Sequence, residues 1–375
     1  MYGAQAALGA HEQMREVFFP DGHLLEQGER VVQHRAGRTL QRLADEGDAY
    51  YLGDFARAFV AENRRGGGVI VQEDLDRAAP LWAEPVTGRY RGLDLIASAP
   101  PDDGGQMLAE ALAMLDHVDL GAMGRPTEDV RTLALLADVH NEVYYAPARR
   151  GGRFENPEHL AFLRSPEHAA DRLAVLGRPP AVVPTPTPGT IHVSAVDGAG
   201  NVASLTHSHM ASGWVNGLFA EGFQLAGGGS FFQRGMPDPG AKAAVHLAPH
   251  VVLRDGSPVL VGGSPSVSLV ANVIQNVVNI VDFGMSIEES VRAPRFGARP
   301  HDPDRGWVPG VVLEAGFDES VRAAYLDQAR AQRLWAWVVS PWYPLTGNYE
   351  GITIDLDGVA AASADPRRVG SAEAV

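Results

Sequence analysis

Gly189-Thr190-Ile191-His192-Val193-Ser194-Ala195-Val196-Asp197, followed by Gly198-Ala199-Gly200 and Asn201-Val202-Ala203-Ser204-Leu205-Thr206-His207-Ser208-His209, is the stretch on which the fold turns. Both arms alternate with period two, the signature of strands with two unlike faces. Ile191, Val193 and Ala195 share one face, and Thr190, His192 and Ser194 share the other. The intervening Gly198-Ala199-Gly200 suits a three-residue hairpin loop with glycine at the left-handed position. That loop sets a register in which Asp197 faces Asn201, Val193 faces Leu205 and Thr190 faces Ser208. Apolar residues then stand opposite apolar ones, the arrangement of a hairpin whose apolar face is buried, with His207 the exception on that face.

Working outward, Pro179, Pro180, Pro184, Pro186 and Pro188 precede the hairpin and forbid regular structure there. They predict an extended, exposed linker ending at Gly189. The chain before it reads mostly helical, with helices expected over Glu26 to Glu46 and Asp54 to Arg65 and a break at Gly66-Gly67-Gly68. Arg89 to Ala97 reads as a strand. Pro100-Pro101-Asp102-Asp103-Gly104-Gly105 reads as a solvated turn into a helix from Gln106 to Leu115. The chain after Gly189 reads β-rich. A second hairpin is expected from Val251 to Arg254, the turn Asp255-Gly256, and Pro258 to Gly262. Ser264 suits an N-cap and Pro265 a first helical position, for a helix with Val270, Val273, Ile274, Val277, Val278 and Val281 as its apolar stripe. Ser286 and Glu289 have capping-box spacing for another helix that stops near Pro294. There are no internal repeats.

The chain has 375 residues, 45% of them hydrophobic, which is enough for a substantial core and excludes global disorder. Its net charge of −15 argues against a nucleic-acid partner, which needs a basic surface. The absence of cysteine excludes disulfides, thiolate catalysis and thiolate metal sites. No signal peptide is read in Met1 to Met14. The most apolar segment, Val267 to Val281, contains Asn272, Gln275, Asn276 and Asn279 and is too short and polar for a membrane span. These features read as a cytoplasmic protein with no membrane partner and no cofactor.

The Gly189-Thr190-Ile191-His192-Val193-Ser194 strand and Gly200-Asn201 resemble the start of the small subunit of γ-glutamyltranspeptidases. Further matches follow in order: Asp255-Gly256, Gly263-Ser264-Pro265, Val278 to Gly284, Ala293-Pro294-Arg295 and Ser363-Ala364-Asp365-Pro366-Arg367. The first half is similar in Gly67 to Leu75 and from Tyr90-Arg91-Gly92 through Gly104-Gly105. The resemblance implies an α+β fold, the four-layer αββα sandwich of N-terminal nucleophile hydrolases, incomplete at its N-terminal side. It implies residues 1–189 as a large-subunit-like segment and residues 190–375 as a small-subunit-like segment, separated by self-cleavage between Gly189 and Thr190. Such a cut frees an α-amine, with an ordinary pKa near ~8, on the residue that carries the nucleophilic hydroxyl. One residue then supplies both nucleophile and base.

Carried over position by position, Thr190 is the nucleophile and Ser208 stands where the family has a hydroxyl that hydrogen-bonds it. The oxyanion amides fall at Ser266 and Val267, where the family has glycines. His192, Met210 and His246 are the substrate-binding candidates. Met210 replaces an asparagine, Leu225 lies near the position of an aspartate, and Val245-His246 replaces a Ser-Ser pair. The arginine segment that grips a γ-glutamyl head is absent from this sequence. Met and Val against a zwitterion would leave buried charges unpaired, so a substrate other than a simple γ-glutamyl compound is expected. Relatives that cleave carbon–carbon bonds in antibiotic pathways make secondary metabolism a reasonable setting. The partners implied are a small-molecule acyl or amide substrate, the chain's own cleaved fragment, and a second copy or separate chain that completes the sandwich. A catalytically inactive or truncated family member acting as a binding protein is the alternative. His207, His209, His246 and His250 do not make a metal site on spacing alone, because no acidic ligand accompanies them. Trp335, Trp337, Trp342 and Tyr343 read as packing.

Overall fold

The computed structural model describes residues 5–149, 156–176, 190–208, 217–225, 245–265, 268–297, 301–302, 306–307 and 310–374. The chain opens with helices α1 (Gln5–Ala10), α2 (Glu12–Phe18), α3 (His34–Glu46), α4 (Asp48–Leu52), α5 (Asp54–Arg65) and α6 (Gln72–Asp76). Strands β1 (Val86–Tyr90) and β2 (Leu93–Ala97) follow. Then come α7 (Gly104–Leu115), α8 (Leu120–Met123), α9 (Val130–Arg149), α10 (Pro157–Leu163) and α11 (Pro166–Leu173). The middle of the chain holds β3 (Thr190–Val196), β4 (Val202–Ser208), β5 (Phe219–Ala220), β6 (Phe223–Gln224), β7 (His250–Arg254) and β8 (Ser257–Gly263). Helices α12 (Leu269–Val281) and α13 (Ile287–Arg292) precede the short strands β9 (Phe296–Gly297), β10 (His301–Asp302) and β11 (Gly306–Trp307). The chain ends with β12 (Gly310–Glu314), α14 (Glu319–Ala331), β13 (Trp335–Val339), β14 (Glu350–Ile354) and β15 (Ala360–Ser363).

Two compact units emerge. One comprises residues 1–82, 209–228 and 238–241. Within it Thr39 donates to the carbonyl of Glu221 at 2.6 Å, and Arg65 donates to that of Gly217 at 3.2 Å, so the helices are tied to the β5–β6 segment. Its α3 starts at His34 rather than near Glu26. The reason is local: the Glu29 carboxylate takes the Glu26 amide at 2.6 Å and Gly28 turns with φ +97°, so the chain bends where a helix was expected.

The second unit holds the rest. Among the described residues, six antiparallel strands form one sheet in the order β1-β2-β7-β8-β14-β15. Helices α7, α9 and α12 build the core beside it, through buried Leu108, Leu112, Leu133, Leu136, Ile274 and Val277. Burial of such side chains stabilises by roughly 1.5–3 kcal/mol each. Hairpin β3–β4 lies against the sheet, with Ser204 donating to the carbonyl of Gly262 at 2.9 Å and Ser194 to that of Glu350 at 3.3 Å. Parallel strands β12 and β13 are joined through α14, the crossover that parallel pairing requires.

The stretch from Arg89 to Ala97 is a hairpin, not one strand. Arg91 (φ +51°) and Gly92 (φ +77°) make a tight turn with two left-handed residues. Arg91 holds that conformation because its side chain bonds Asp282 at 2.8 Å and its amide donates to Asp116 at 2.8 Å. Helix α12 begins at Leu269 with Ser268 at its N-cap, four residues beyond the expected N-cap Ser264 and first helical residue Pro265. Ser268 donates to the carbonyl of Leu345 at 2.7 Å and Asn272 to that of Thr346 at 2.7 Å, so the chain is drawn onto the 345–346 loop before helix begins. The β3–β4 register is the expected one, Thr190 opposite Ser208 and Val193 opposite Leu205. Its faces are reversed from expectation. The polar face is turned in, whereas Ile191, Val193 and Leu205 are 60%, 51% and 60% exposed. The hydroxyls of Ser194 and Ser204 reach the sheet carbonyls, so polar bonding fixes the inner face.

Candidate active site

Thr190 opens β3 and is buried. Its Oγ1 lies 2.9 Å from Oγ of Ser208, the residue opposite it across the hairpin. Two positions along, His192 is also buried, with Nδ1 2.8 Å from the Thr206 hydroxyl and Nε2 3.0 Å from that of Ser194. Both nitrogens are thus engaged within the hairpin, and His192 sits beneath it rather than at an open surface. Burial, and then the charge of nearby His250, pushes its pKa down to about 3, so the ring is neutral at physiological pH.

The hairpin can sit this close because Gly263 has no side chain. A Cβ there would stand 2.3 Å from Cε1 of His192. At neighbouring Gly262 a Cβ would stand 2.1 Å from the Tyr349 hydroxyl. These are successive residues of β8, so they serve opposite faces of the sheet. The Tyr349 hydroxyl is 3.0 Å from Nε2 of His250, whose Nδ1 lies 3.1 Å from the carbonyl of Ala248. Burial lowers the pKa of His250 to about 4.

Beneath the site lies a buried charge cluster. Arg367 makes a bidentate pair with Glu314, both contacts 2.6 Å, and Arg295 bonds Asp365 at 2.5 Å and Asn272 at 2.8 Å. Thr346 donates to Glu314 at 2.5 Å, and Asp365 accepts the amide of Tyr349 at 2.9 Å. The Ala293-Pro294-Arg295 and Asp365-Pro366-Arg367 segments, noted in the sequence only as resemblances, therefore meet in one network. The buried amides of α12 extend it. Asn272 donates to the carbonyl of Thr346, and Gln275 bonds both the amide and the carbonyl of Phe296.

One end of the sheet collects these groups. Ala97 pairs with His250, His250 with Gly262, and Gly263 with Glu350, so β2 and β8 finish where β7 and β14 begin. Ser264 and Pro265 lie just past that end, both buried. Glu350 there is pushed up to about 7 by burial, while Asn348 donates to it at 2.6 Å. Asp102 and Asp103 also lie at this end and are not a solvated turn. Asp103 is buried, its carboxylate bonds Nδ1 of His246, and Asp102 accepts the amide of Leu247 at 2.8 Å. Burial, and then the charge of Asp103, raises the pKa of Asp102 well above the carboxylate range. Asp103, Thr206, His250, Tyr349 and Glu314 were not singled out as site residues from sequence. A glycine pair followed by Ser-Pro, facing alternate polar strand residues, was the one available signal.

Gly189, Met210, Ser266 and Val267 lie outside the described residues. Among the described residues, no group of three or more His, Asp or Glu could hold a metal ion.

The sequence matches the γ-glutamyltranspeptidase family profile across residues 2–375. The chain belongs to the γ-glutamyltranspeptidase family. Among curated relatives it is 27% identical over 410 residues to a glutathione hydrolase proenzyme of Escherichia coli strain K12, covering 98% of this chain and 66% of that protein. It is 29% identical over 388 residues to an acylase ACY 1 proenzyme of Pseudomonas sp. strain V22, covering 96% and 64%. The chain thus spans slightly less than two thirds of the length of each of these two relatives. The crystal structure of a cephalosporin acylase from Bacillus halodurans superposes with a TM-score of 0.81 at 20% identity, over the whole of this chain and 70% of that one. The fold is therefore the α+β sandwich of the N-terminal nucleophile hydrolases. No helix among the described residues is long and apolar enough to cross a membrane.

Proposed function

We propose that the chain is a self-processing hydrolase or acyltransferase that cuts before Thr190 and uses that threonine to attack an acyl or amide substrate. The observation that carries this is the 2.9 Å contact between the hydroxyls of Thr190 and Ser208, at the head of a buried polar hairpin face in a γ-glutamyltranspeptidase-family chain. Relatives bearing the name proenzyme support the processing step.

In the first reaction the Thr190 hydroxyl adds to the carbonyl of Gly189. The C–N bond breaks, the α-amine of Thr190 is released and an ester remains. Water then hydrolyses the ester, giving a new carboxylate at Gly189 and regenerating the hydroxyl. In turnover the free amine takes the hydroxyl proton, the hydroxyl attacks the acyl carbon, and the amide leaving group departs with that proton. Ser208 orients the hydroxyl, and the backbone amides of Ser266 and Val267 receive the oxyanion. The ester is resolved by water or by an acceptor amine. The six-stranded sheet draws β1 and β2 from before position 190 and β7, β8, β14 and β15 from after it, so the two fragments share a core and stay together as a heterodimer. Met210, Val245 and His246 supply no grip for an amino-acid zwitterion, so the substrate is not a simple γ-glutamyl compound. An acyl compound of secondary metabolism fits this pocket composition.

Intact mass and N-terminal sequencing test the proposal. Two co-eluting fragments are expected, one beginning at Thr190, with Thr190→Ala remaining whole and inert. Glutathione and γ-glutamyl anilides should be turned over poorly. A wild-type chain that stays uncut and inert points instead to a binding protein.

A further inference from the structure

Arg164 stands in the tight joint between α10 and α11. It is the C-cap of α10, Ser165 caps α11 by accepting the amide of His168 at 3.2 Å, and Pro166 opens that helix. The joint fixes the backbone, and α7 fixes the side chain. Gln106, fully buried on α7, donates its carboxamide N–H groups to Glu110 at 2.8 Å and to the carbonyl of Leu160 at 3.0 Å. Its oxygen is therefore turned the other way, where it accepts Nη1 of Arg164 at 3.0 Å. A guanidinium carries five N–H donors. Among the described residues this is the one hydrogen bond of the Arg164 side chain, and no carboxylate pairs with it. Burial lowers its pKa, and the charge of Glu110 restores only part of that loss.

Nε and Nη2 of Arg164 are not sealed from solvent, and Arg164 lines a cavity of about 650 Å³ onto which they open. Small-molecule sites run to roughly 300–1,000 Å³. Leu95, Ile96, Ala113, Ala161, Pro166 and Leu253 make most of this wall apolar. The other polar groups on it are already engaged. Arg89 pairs with Asp94 at 3.4 Å, and Asp116 takes the amide of Arg91 at 2.8 Å with the Arg91 guanidinium 3.7 Å away. Nε2 of His117 lies 2.9 Å from the carbonyl of Pro166. The wall charges thus cancel in pairs, with Arg164 the exception. The cavity runs along β1, the outer strand of the six-stranded sheet, in the order β1-β2-β7-β8 three places from the strand that the Thr190 hairpin lies against.

We infer that this cavity is a binding site for a small carboxylic acid with an apolar body, its carboxylate held by Arg164 and its chain laid along Ala113, Ala161 and Leu253. A carboxylate is the planar partner that the guanidinium fork fits, through two parallel charge-assisted hydrogen bonds. The apolar body removes the rest of the wall from water. An ammonium head would meet a like charge at Arg164, and a bare anion would leave the wall wet. The inference stands apart from the reading of Thr190 as nucleophile, since no residue of the hairpin takes part in it.

Calorimetric titration of the full chain with hexanoate, hexylammonium and acetate, at about pH 7 where both carboxylates and the ammonium are charged, is the test. Hexanoate should bind at one site, about tenfold more tightly than hexylammonium of equal length and about tenfold more tightly than acetate, which has the charge without the body. Arg164→Gln should weaken hexanoate about tenfold or more. Ala161→Phe leaves Arg164 in place and fills the cavity from an exposed wall position, so it should weaken hexanoate without unfolding the chain. That second variant decides the matter if Arg164→Gln does not fold. Hexylammonium or acetate binding as tightly as hexanoate overturns the inference. So does a hexanoate affinity unchanged in either variant, because the acid then sits elsewhere on the molecule.

Discussion

At Gly263 a Cβ would stand 2.3 Å from the ring of a histidine whose two nitrogens are both bonded, so the ring cannot simply swing aside. Gly263→Ala is expected to cost about 1–3 kcal/mol by overpacking and to slow self-cleavage, because the hairpin carrying Thr190 must lift. Gly198→Ala, in open space at the hairpin tip, should change stability by less than about 0.5 kcal/mol. Urea unfolding midpoints decide, and equal effects at the two glycines would remove the argument. His192 gives a second prediction. Its pKa is 6.5 ordinarily and about 3 in the folded chain, so the folded state binds fewer protons between those values. The resulting stability is fully present above 6.5 and is lost as pH falls towards 3. Glu350, raised from 4.5 to about 7, acts in the opposite sense, losing stability as pH rises through that range. These two contributions offset each other between 4.5 and 6.5, the overlap of their windows, while His250, lowered to about 4 by burial, acts in the same sense as His192. His192→Asn should alter the slope of stability against pH in that overlap by up to one proton, about 1.4 kcal/mol per pH unit. Identical slopes in variant and wild type would mean that the folded ring is charged.

Among the elements, the buried pairs and the exposed ones make a sharp contrast. Arg367 and Glu314 are almost wholly buried and doubly bonded, whereas Arg292 and Glu288 form an exposed pair one helical turn apart. Glu314→Gln removes the bidentate counter-charge of the buried Arg367 guanidinium, leaving it only the 3.2 Å contact with Asp365, and is expected to cost about 3 kcal/mol. Glu288→Gln should cost less than about 1 kcal/mol. The Glu314 variant should also loosen residues 345–349, because Thr346 is tied to Glu314 and the amide of Tyr349 to Asp365 beside it. Hydrogen exchange across that loop reads this out, and unchanged protection there would show that the cluster does not hold the loop. The same scale shows where sequence reading succeeds. The three-residue loop after Asp197 fixes the β3–β4 register because the Asp197 carboxylate takes the amides of Ala199 and Asn201, both local contacts. The capping box of Ser286 and Glu289 is equally local, and it is present. The start of α12 was misread because its anchors, Leu345 and Thr346, are more than seventy residues away.

For the whole molecule, the exposed outer face of β3–β4 has a measurable consequence. Ile191, Val193 and Leu205 are each more than half exposed on one face, and such a face favours association. Light scattering should find self-association at micromolar concentration. Val193→Thr with Leu205→Thr should reduce it while leaving the 190–208 register intact, since both side chains point away from the sheet. A monomeric wild type at those concentrations would refute this.

The sequence by itself determined the family, and with it the α+β class, through a resemblance of ordered motifs spread along the chain; it determined the hairpin register and the pairing of Thr190 with Ser208 because alternation and turn chemistry act over a few residues. Tertiary structure decided which face of that hairpin is turned in. Period-two patterning marks two faces but does not say which one finds polar partners, and here the carbonyls of Gly262 and Glu350 supply them. It also decided that Asp103 is a buried partner of His246 rather than a solvated turn residue. A carboxylate in a Pro-Gly-rich turn looks exposed until a segment more than a hundred residues away, let in by a missing Cβ at Gly104, closes over it.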